Sequence, residues 1–317
     1  MSQWNAETVL VTGGAGFIGS HTVEALLERG SKVVVADDMS TGRMDNLAGV
    51  EDRITLERMD LTTGDVAGLL RSQDFDLVIH AAGNAYIPSS MERPERDLES
   101  NIVATHKLLA AMRSMERPPR LLNISSAAVY GEGSAVPIDE SEPTRPVSPY
   151  GISKLAAELY VSLYSRLFGQ KTCTVRLFSV FGPRLRKQVV WDFMNKLAAN
   201  RDELAIQGDG GDMRDLNHIR NVVGAMLLVA EKSDMTGEVY NVAARESVTI
   251  NDLAHTLASA MGLSPKIHQT GQGRPGHARS WKADIGKLER LGYEPSISYE
   301  DGIADTVAWF RATDHAS

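Results

Sequence analysis

The sequence predicts an α/β protein, a doubly wound parallel sheet with a smaller C-terminal lobe. Two observations carry this. Over the first 180 residues, short β-branched runs alternate with amphipathic helical stretches, and several runs are apolar end to end, as strands covered on both faces are. A glycine-rich turn follows the first run and opens a helix.

The elements follow in order. Thr8–Val11 reads as the first strand, and Phe17 to about Arg29 as a helix closed by Gly30. Lys32–Ala36 (KVVVA) and Ile54–Arg58 are the next strands, and Val66–Arg71 is a short helix. Leu77–His80 (LVIH) is a fourth strand, followed by a helix from about Leu98 to Met115. Leu121–Ser125 is a fifth strand, Gly151–Phe168 a long helix after the Ser148-Pro149 break, and Thr172–Leu177 a sixth strand. Beyond Ser179 the rhythm changes, and Gly-rich segments at 208–212 and 271–277 break up shorter elements. Helices are expected at Val189–Asn200, Val222–Glu231, Ile250–Met261 and Asp301–Ala312, and a strand at Glu238–Val242. Residues 1–180 are therefore read as a dinucleotide-binding domain, and 181–317 mainly as a substrate-binding lobe with some segments returning to the first domain.

The totals narrow the function classes. Apolar residues make up 43% of 317, enough for a sizeable core, and the net charge of −8 argues against a nucleic-acid surface. The lone cysteine, Cys173, forms no internal disulfide and sits in an apolar strand. The first apolar run ends in a glycine turn rather than a cleavage site, and no run nears the roughly 20 residues that span a bilayer. The expectation is a soluble, cytoplasmic protein. The eight histidines are scattered without metal-ligand spacing, so no metal is expected, and His80 reads as a satisfied core residue.

The chemistry-bearing motifs come next. In TGGAGFIGSH (12–21), Gly14, Gly16 and Gly19 form G-x-G-x-x-G, and Gly13, Gly16 and Gly19 the wider G-x-x-G-x-x-G. Such a turn lets backbone N–H groups approach a pyrophosphate at a helix N-terminus, a Rossmann-type site. Asp37 stands 18 residues beyond Gly19 at the end of the second strand, where a carboxylate favours the ribose of NAD over the 2′-phosphate of NADP. Arg43, nearby, would suit that phosphate. Tyr150 and Lys154 stand at i and i+4 on one helix face, so the ammonium, together with the positive nicotinamide of bound NAD, is expected to lower the phenol's pKa and make it a usable base. Ser125 and Ser126 end the fifth strand at the carboxyl edge, where doubly wound sheets bind ligands.

With these residues in view, the chain resembles the extended short-chain dehydrogenase/reductases, in their branch of nucleotide-sugar epimerases and dehydratases. The matching pieces run in order through nearly the whole chain: TGGAGFIGSH (12–21), DDMSTGR (37–43), MDL (59–61), HAAG (80–83), SNIVAT (100–105), SSAAVYG (125–131), SPYGISK (148–154), RLFSVFGPR (176–184), GDMRDLNHI (211–219) and GRPGHAR (273–279). The resemblance implies that Tyr150 is the general base, that Lys154 supports it and holds the nicotinamide ribose, and that Ser126, with Ser125 beside it, contacts the substrate hydroxyl. It implies NAD contacts from Gly13, Gly16, Phe17, Ile18 and Gly19, and from Asp37, Asp38, Ser40, Thr41 and Gly42. Asp60, Leu61, Ala81, Ala82, Gly83 and Asn101 complete that set. Ser179, Arg214 and Arg274 would meet a nucleotide-diphosphate sugar, the two arginines gripping its diphosphate.

Three departures bear on the reaction. Ala127-Ala128 stand where members that eliminate water carry an Asp-Glu pair, Ser179 stands where many relatives have asparagine, and His277 stands where an acid often follows R-P-G. The resemblance thus implies a 4-epimerase of carbohydrate biosynthesis working through a transient 4-keto sugar. A 4-ketosugar reductase, a decarboxylase, a dehydratase using other residues and a non-enzymatic NAD-sensing scaffold are the competing readings. The apolar stripe of the helix at 151–168 (Ile152, Leu155, Ala156, Leu159, Tyr160, Leu163, Tyr164, Leu167, Phe168) is wider than a core contact needs. Part of it is expected to meet a second subunit, as the family is often dimeric.

Overall fold

The structure, a computed structural model, describes residues 4–131, 137–245, 247–271 and 282–314. In chain order it begins with β1 (Thr8–Thr12), α1 (Phe17–Glu28), β2 (Lys32–Asp37), β3 (Ile54–Arg58), α2 (Val66–Arg71) and β4 (Leu77–His80). Two short helices, α3 (Ile87–Glu92) and α4 (Pro94–Asp97), run through a π-helical turn at Leu98–Val103 into α5 (Ala104–Arg113). Then come β5 (Arg120–Ser126), a 3-10 turn at Ala127–Tyr130, α6 (Pro149–Phe168), β6 (Thr172–Leu177) and β7 (Ser179–Phe181). The remainder is α7 (Gln188–Ala199), β8 (Glu203–Ile206), β9 (Met213–Arg214), β10 (Leu216–His218), α8 (Ile219–Lys232), β11 (Thr236–Val242), β12 (Val248–Thr249), α9 (Ile250–Ala260), β13 (Lys266–Gln269), α10 (Gly286–Glu289) and α11 (Tyr299–Asp314).

Seven strands form one parallel sheet in the order β11-β6-β5-β4-β1-β2-β3. The strand order reverses between β1 and β4, and a doubly wound sheet opens its ligand crevice at such a reversal, beyond the carboxyl ends of the strands. The first turn of α1, the loop after β4, the end of β5 and the start of α6 all meet there. One face of the sheet is covered by α1 and α8 through Val23, Leu26, Val222, Met226 and Val229. The other is covered by α2, α5 and part of α6 through Leu69, Leu70, Leu108, Met112 and Val161.

The six expected strands of the first half are all present, β1 and β2 a residue longer and β5 a residue longer at each end. The single helix expected from Leu98 to Met115 is instead the π-helical turn and α5, preceded by α3 and α4, which the sequence reading left as loop. β11 lies in the main sheet beside β6, and α8 packs on α1, so both return to the first unit. The rest of the second half has its own core, in which α7, α9 and α11 bury Phe193, Met194, Leu197, Leu253, Leu257, Ile303 and Phe310 around β8.

Candidate active site

The glycine turn is packed too tightly for any side chain. Gly13 has φ +69°, and a Cβ there would stand 2.7 Å from the Ala82 nitrogen and 2.8 Å from the Ala81 carbonyl carbon. A Cβ at Gly19 would collide with the Gly13 carbonyl oxygen. This brings the Ala81–Ala82 backbone against the mouth of α1, whose first-turn N–H groups have no partner within the helix. Ala81 N–H donates to the Thr12 carbonyl (3.0 Å), fixing the two walls of the crevice to each other.

Asp37 closes β2 with both carboxylate oxygens engaged, one by Ala15 N–H (2.9 Å) and the other by Met39 N–H (2.9 Å). Each oxygen keeps a lone pair for a further donor. Burial pushes the Asp37 carboxyl above its usual range, against those two hydrogen bonds. Gly42 lies directly on it, a Cβ there falling 2.6 Å from Asp37 Oδ1. Asp38, Ser40 and Thr41 form an exposed turn in which Asp38 accepts from Ser40 N–H (2.8 Å) and Oγ (2.7 Å). Arg43 pairs with Asp45 at 3.2 Å. Met59 N–H donates to the Asp37 carbonyl, which sets Asp60 at the same edge. Asp60 is exposed and Leu61 is buried in the core.

The second cluster sits across the crevice. Ser148 caps α6 by accepting from Gly151 N–H (3.1 Å), and Pro149 occupies the first turn. Tyr150 then faces the end of β5, its phenol beside Ser126. Lys154, one turn on, donates to the Ile124 carbonyl at 3.1 Å. Both side chains are buried. The lowering expected from Lys154 together with a bound nicotinamide has burial to overcome. Burial pushes Tyr150 up to about 12, with Ser126 opposing the rise and the Asp97 charge adding to it. Burial likewise pushes Lys154 down to about 8, against the charges of Asp97 and Glu158.

Several polar atoms here are buried without a protein partner: Asn101 Oδ1, Ser125 Oγ and Asp97 Oδ2. Asn101 Oδ1 is aimed at Gly83, and Lys154 Nζ lies 3.5 Å from where a Cβ of Gly83 would be. Native proteins rarely leave such atoms orphaned, and these cluster beside the glycine cradle. Cradle, carboxylate and orphaned polar atoms together fit a dinucleotide. His80 is fully engaged, by Thr12 Oγ1 (2.7 Å) and Thr105 Oγ1 (2.9 Å), and is a core residue as expected.

Ser179 opens β7 and is half-buried. It stands in register with Leu216, two residues past Arg214 on β9. Arg214 donates to its neighbour's carbonyl (Met213, 2.8 Å) and to Asp212 (3.3 Å), and burial lowers its pKa. Arg274 and His277 lie outside the described residues. The structure thus gathers Tyr150, Lys154, Ser126, Ser125, Asn101 and Gly83, puts the glycine turn and Asp37 along the same crevice, and leaves Arg214 held by its own strand.

The segment after β7 bridges the crevice walls. Arg184, at φ +74°, binds Ser20 Oγ (3.1 Å) and Glu24 of α1, and the Pro183 carbonyl meets His21 Nε2 (3.0 Å). At the far end, Lys187 donates to the Ala85 carbonyl at 3.1 Å. Sequence reading missed these contacts, along with Asp97, Asn84, Ser90 and Ser153. Of that group only Ser153, between Tyr150 and Lys154 in the chain, carried a positional signal.

A family model described as GDP-mannose 4,6-dehydratase matches residues 10–306. A putative UDP-glucose 4-epimerase of Methanocaldococcus jannaschii is 31% identical over 307 residues, covering 96% of this chain and 98% of that protein. Among solved structures, the Thermotoga maritima UDP-glucose 4-epimerase with UDP-glucose superposes with TM-score 0.89 at 33% identity, covering 96% and 99% of the two chains. The Thermus thermophilus UDP-glucose 4-epimerase in complex with NAD gives TM-score 0.87 at 33% identity, with the same coverage. The chain belongs to this family, the nucleotide-sugar epimerases and dehydratases of the extended short-chain dehydrogenase/reductases.

Proposed function

We propose that the chain is an NAD-dependent nucleotide-sugar 4-epimerase in which Tyr150 moves the proton at the sugar C4 oxygen. The observation that carries this reading is the placement of the buried Tyr150 beside Ser126 at the carboxyl edge of β5, one helical turn from Lys154. The cradle of Gly13, Gly16, Phe17, Ile18 and Gly19 would hold the pyrophosphate of NAD. Asp37, Asp38, Ser40, Thr41, Gly42, Asp60 and Leu61 would surround the adenosine, and Ala81, Ala82, Gly83, Asn101 and Lys154 the nicotinamide end. Bound NAD would supply the hydride acceptor and donor for C4, and its positive charge would oppose the rise that burial imposes on Tyr150.

The protein's own residues do the rest. Ser126 holds the C4 hydroxyl against the phenol, Tyr150 removes its proton, and the same phenol returns the proton to the same oxygen. One base therefore suffices for inversion. Ser125 Oγ, buried and without a protein partner, is a donor available to the sugar. Ser179, Arg214 and Arg274 would hold the nucleotide diphosphate, Arg214 leaving Asp212 to do so. The relatives named above make a UDP-sugar the first substrate to try.

Dehydration is the second reading, favoured by the description of the family model. Ala127 and Ala128, buried in the turn after β5, put no carboxyl group at the place where elimination of water needs an acid and a base. The same reading includes a homodimer. α6 leaves Ile152, Leu159, Tyr160, Leu167 and Phe168 exposed, beside Leu98 and Val103 at the start of the neighbouring helix.

The test is incubation with UDP-, GDP-, CDP- and dTDP-sugars, read by mass and NMR. A product of unchanged mass, inverted at C4, is expected, and loss of water would select the dehydratase. Tyr150→Phe should bind NAD normally and lose turnover by roughly two to four orders of magnitude. Parent-like turnover in that variant would remove Tyr150 from the mechanism.

A further inference from the structure

Asp97 ends α4 in a run of charges that otherwise faces solvent. Glu92, Arg93, Glu95 and Arg96 are exposed, whereas Asp97 is 1% exposed. A buried carboxylate is costly unless hydrogen bonds or opposite charges offset it, so its placement requires a cause.

The surrounding bonds supply one. Asp97 Oδ1 accepts from Asn84 Nδ2 at 2.6 Å. The Asn84 carbonyl accepts from Asn101 Nδ2 (3.3 Å), which also donates to Ser153 Oγ (2.8 Å), and Ser153 donates to the Tyr150 carbonyl (2.8 Å). On the other side, Tyr150 N–H donates to Ser90 Oγ at 2.7 Å. The carboxylate is thereby joined to the first turn of α6, while its second oxygen stays buried with no protein donor. Its charge acts on both Tyr150 and Lys154.

We propose that Asp97 is a positioning residue for the Tyr150–Lys154 pair, a buried carboxyl group joined through Asn84, Asn101 and Ser153 to the first turn of α6 that favours the ammonium form of Lys154. This rests on the reading that Tyr150 and Lys154 form the reactive pair. Other charges nearby do not replace it. Glu158, one turn beyond Lys154, is shared with Arg176 through hydrogen bonds of 2.7–3.1 Å. His80, whose pKa burial lowers to about 3, is neutral. Glu95, Arg96, Glu99 and His106 on the packed elements are exposed, and Lys107 is bound to the Thr62 carbonyl. Burial brings Lys154 down to about 8, and Asp97 and Glu158 both oppose that fall.

The experiment follows Lys154 by side-chain NMR of lysine-labelled, NAD-loaded protein, its signal assigned by its loss in Lys154→Met. Asp97→Asn and Asp97→Ser both remove the charge, and Asp97→Glu keeps it. The Lys154 midpoint should fall by about one pH unit in the first two and return toward the parent in the third. The alkaline limb of the pH–rate profile should move down with it. A parent-like midpoint in either uncharged variant, with an unchanged circular dichroism spectrum, overturns the proposal. If the midpoint moves but the parent turns over no nucleotide sugar, it is the epimerase reading that fails.

Discussion

Asp215 shows what a single buried carboxyl does to this protein. It is 1% exposed and accepts from the backbone N–H groups of Ala244 and Ala283. Burial pushes it up to about 7, against those hydrogen bonds and the charge of Lys282. Its folded pKa lies above its unfolded one, so the native state holds the proton more tightly. That contribution to stability is present in acid and is lost as pH rises from about 4 to about 7. Thermal melts across that window should fall less steeply for Asp215→Asn than for the parent, and identical slopes would mean that the group titrates normally. At this scale the sequence was legible where residue type and spacing imply chemistry together, as with Tyr150, Lys154 and Gly13. Asp97 was hidden because its neighbours in the chain are solvated charges, and only the fold turns it inward.

Among elements, α6 and β6 are locked together by the pair Glu158–Arg176. Arg176 donates Nε and Nη2 to Glu158 and Nη1 to the Tyr130 hydroxyl at 2.8 Å, and Tyr130 in turn donates to Asn241 Oδ1 at 2.7 Å. Burial works against the guanidinium's charge, but Glu158 more than offsets it and raises the pKa. Replacing Glu158 by Ala strands a buried cation, and stability should drop by about 3–5 kcal/mol, read by urea unfolding. A change below about 1 kcal/mol would show that water reaches the pair. The strands were legible because apolar β-branched runs bounded by turn residues have few other uses. The break at Leu98–Val103 was not, since neither glycine nor proline marks it. Its Asn101 is held by tertiary partners, and Thr105 Oγ1 donates back to its carbonyl (2.6 Å). α3 and α4 are only six and four residues long, too short to show helical periodicity, and Pro88 and Pro94 each sit in a first helical turn.

For the molecule as a whole, the wide stripe on α6 divides. Tyr164 is buried and Leu155, Ala156 and Leu163 are half-buried, whereas Leu159 and Leu167 are 63% and 60% exposed. The core contact of α6 falls on Ala157 and Val161, outside the stripe. A double change, Leu159→Arg with Leu167→Arg, should convert a dimer to a monomer in light scattering while leaving the melt of the parent fold recognisable. A parent already monomeric at micromolar concentration would remove the second subunit from the account. The doubly wound half could be read from sequence, and so could the return of some later segments to it, but not which segments return. Nothing in the local pattern of α8 or β11 says that they rejoin a sheet more than 40 residues earlier in the chain.

The bridge from Pro183 to Lys187 has a consequence for timing. It is fastened to α1 by Arg184, Glu24 and His21 and to the opposite wall at Ala85. For a dinucleotide bound in the crevice, release past this segment would need an ion pair and several hydrogen bonds to part. The proposed epimerisation would need the electrons taken in its first half returned in its second, and a fastening that outlasts one turnover would keep the carrier in place until then.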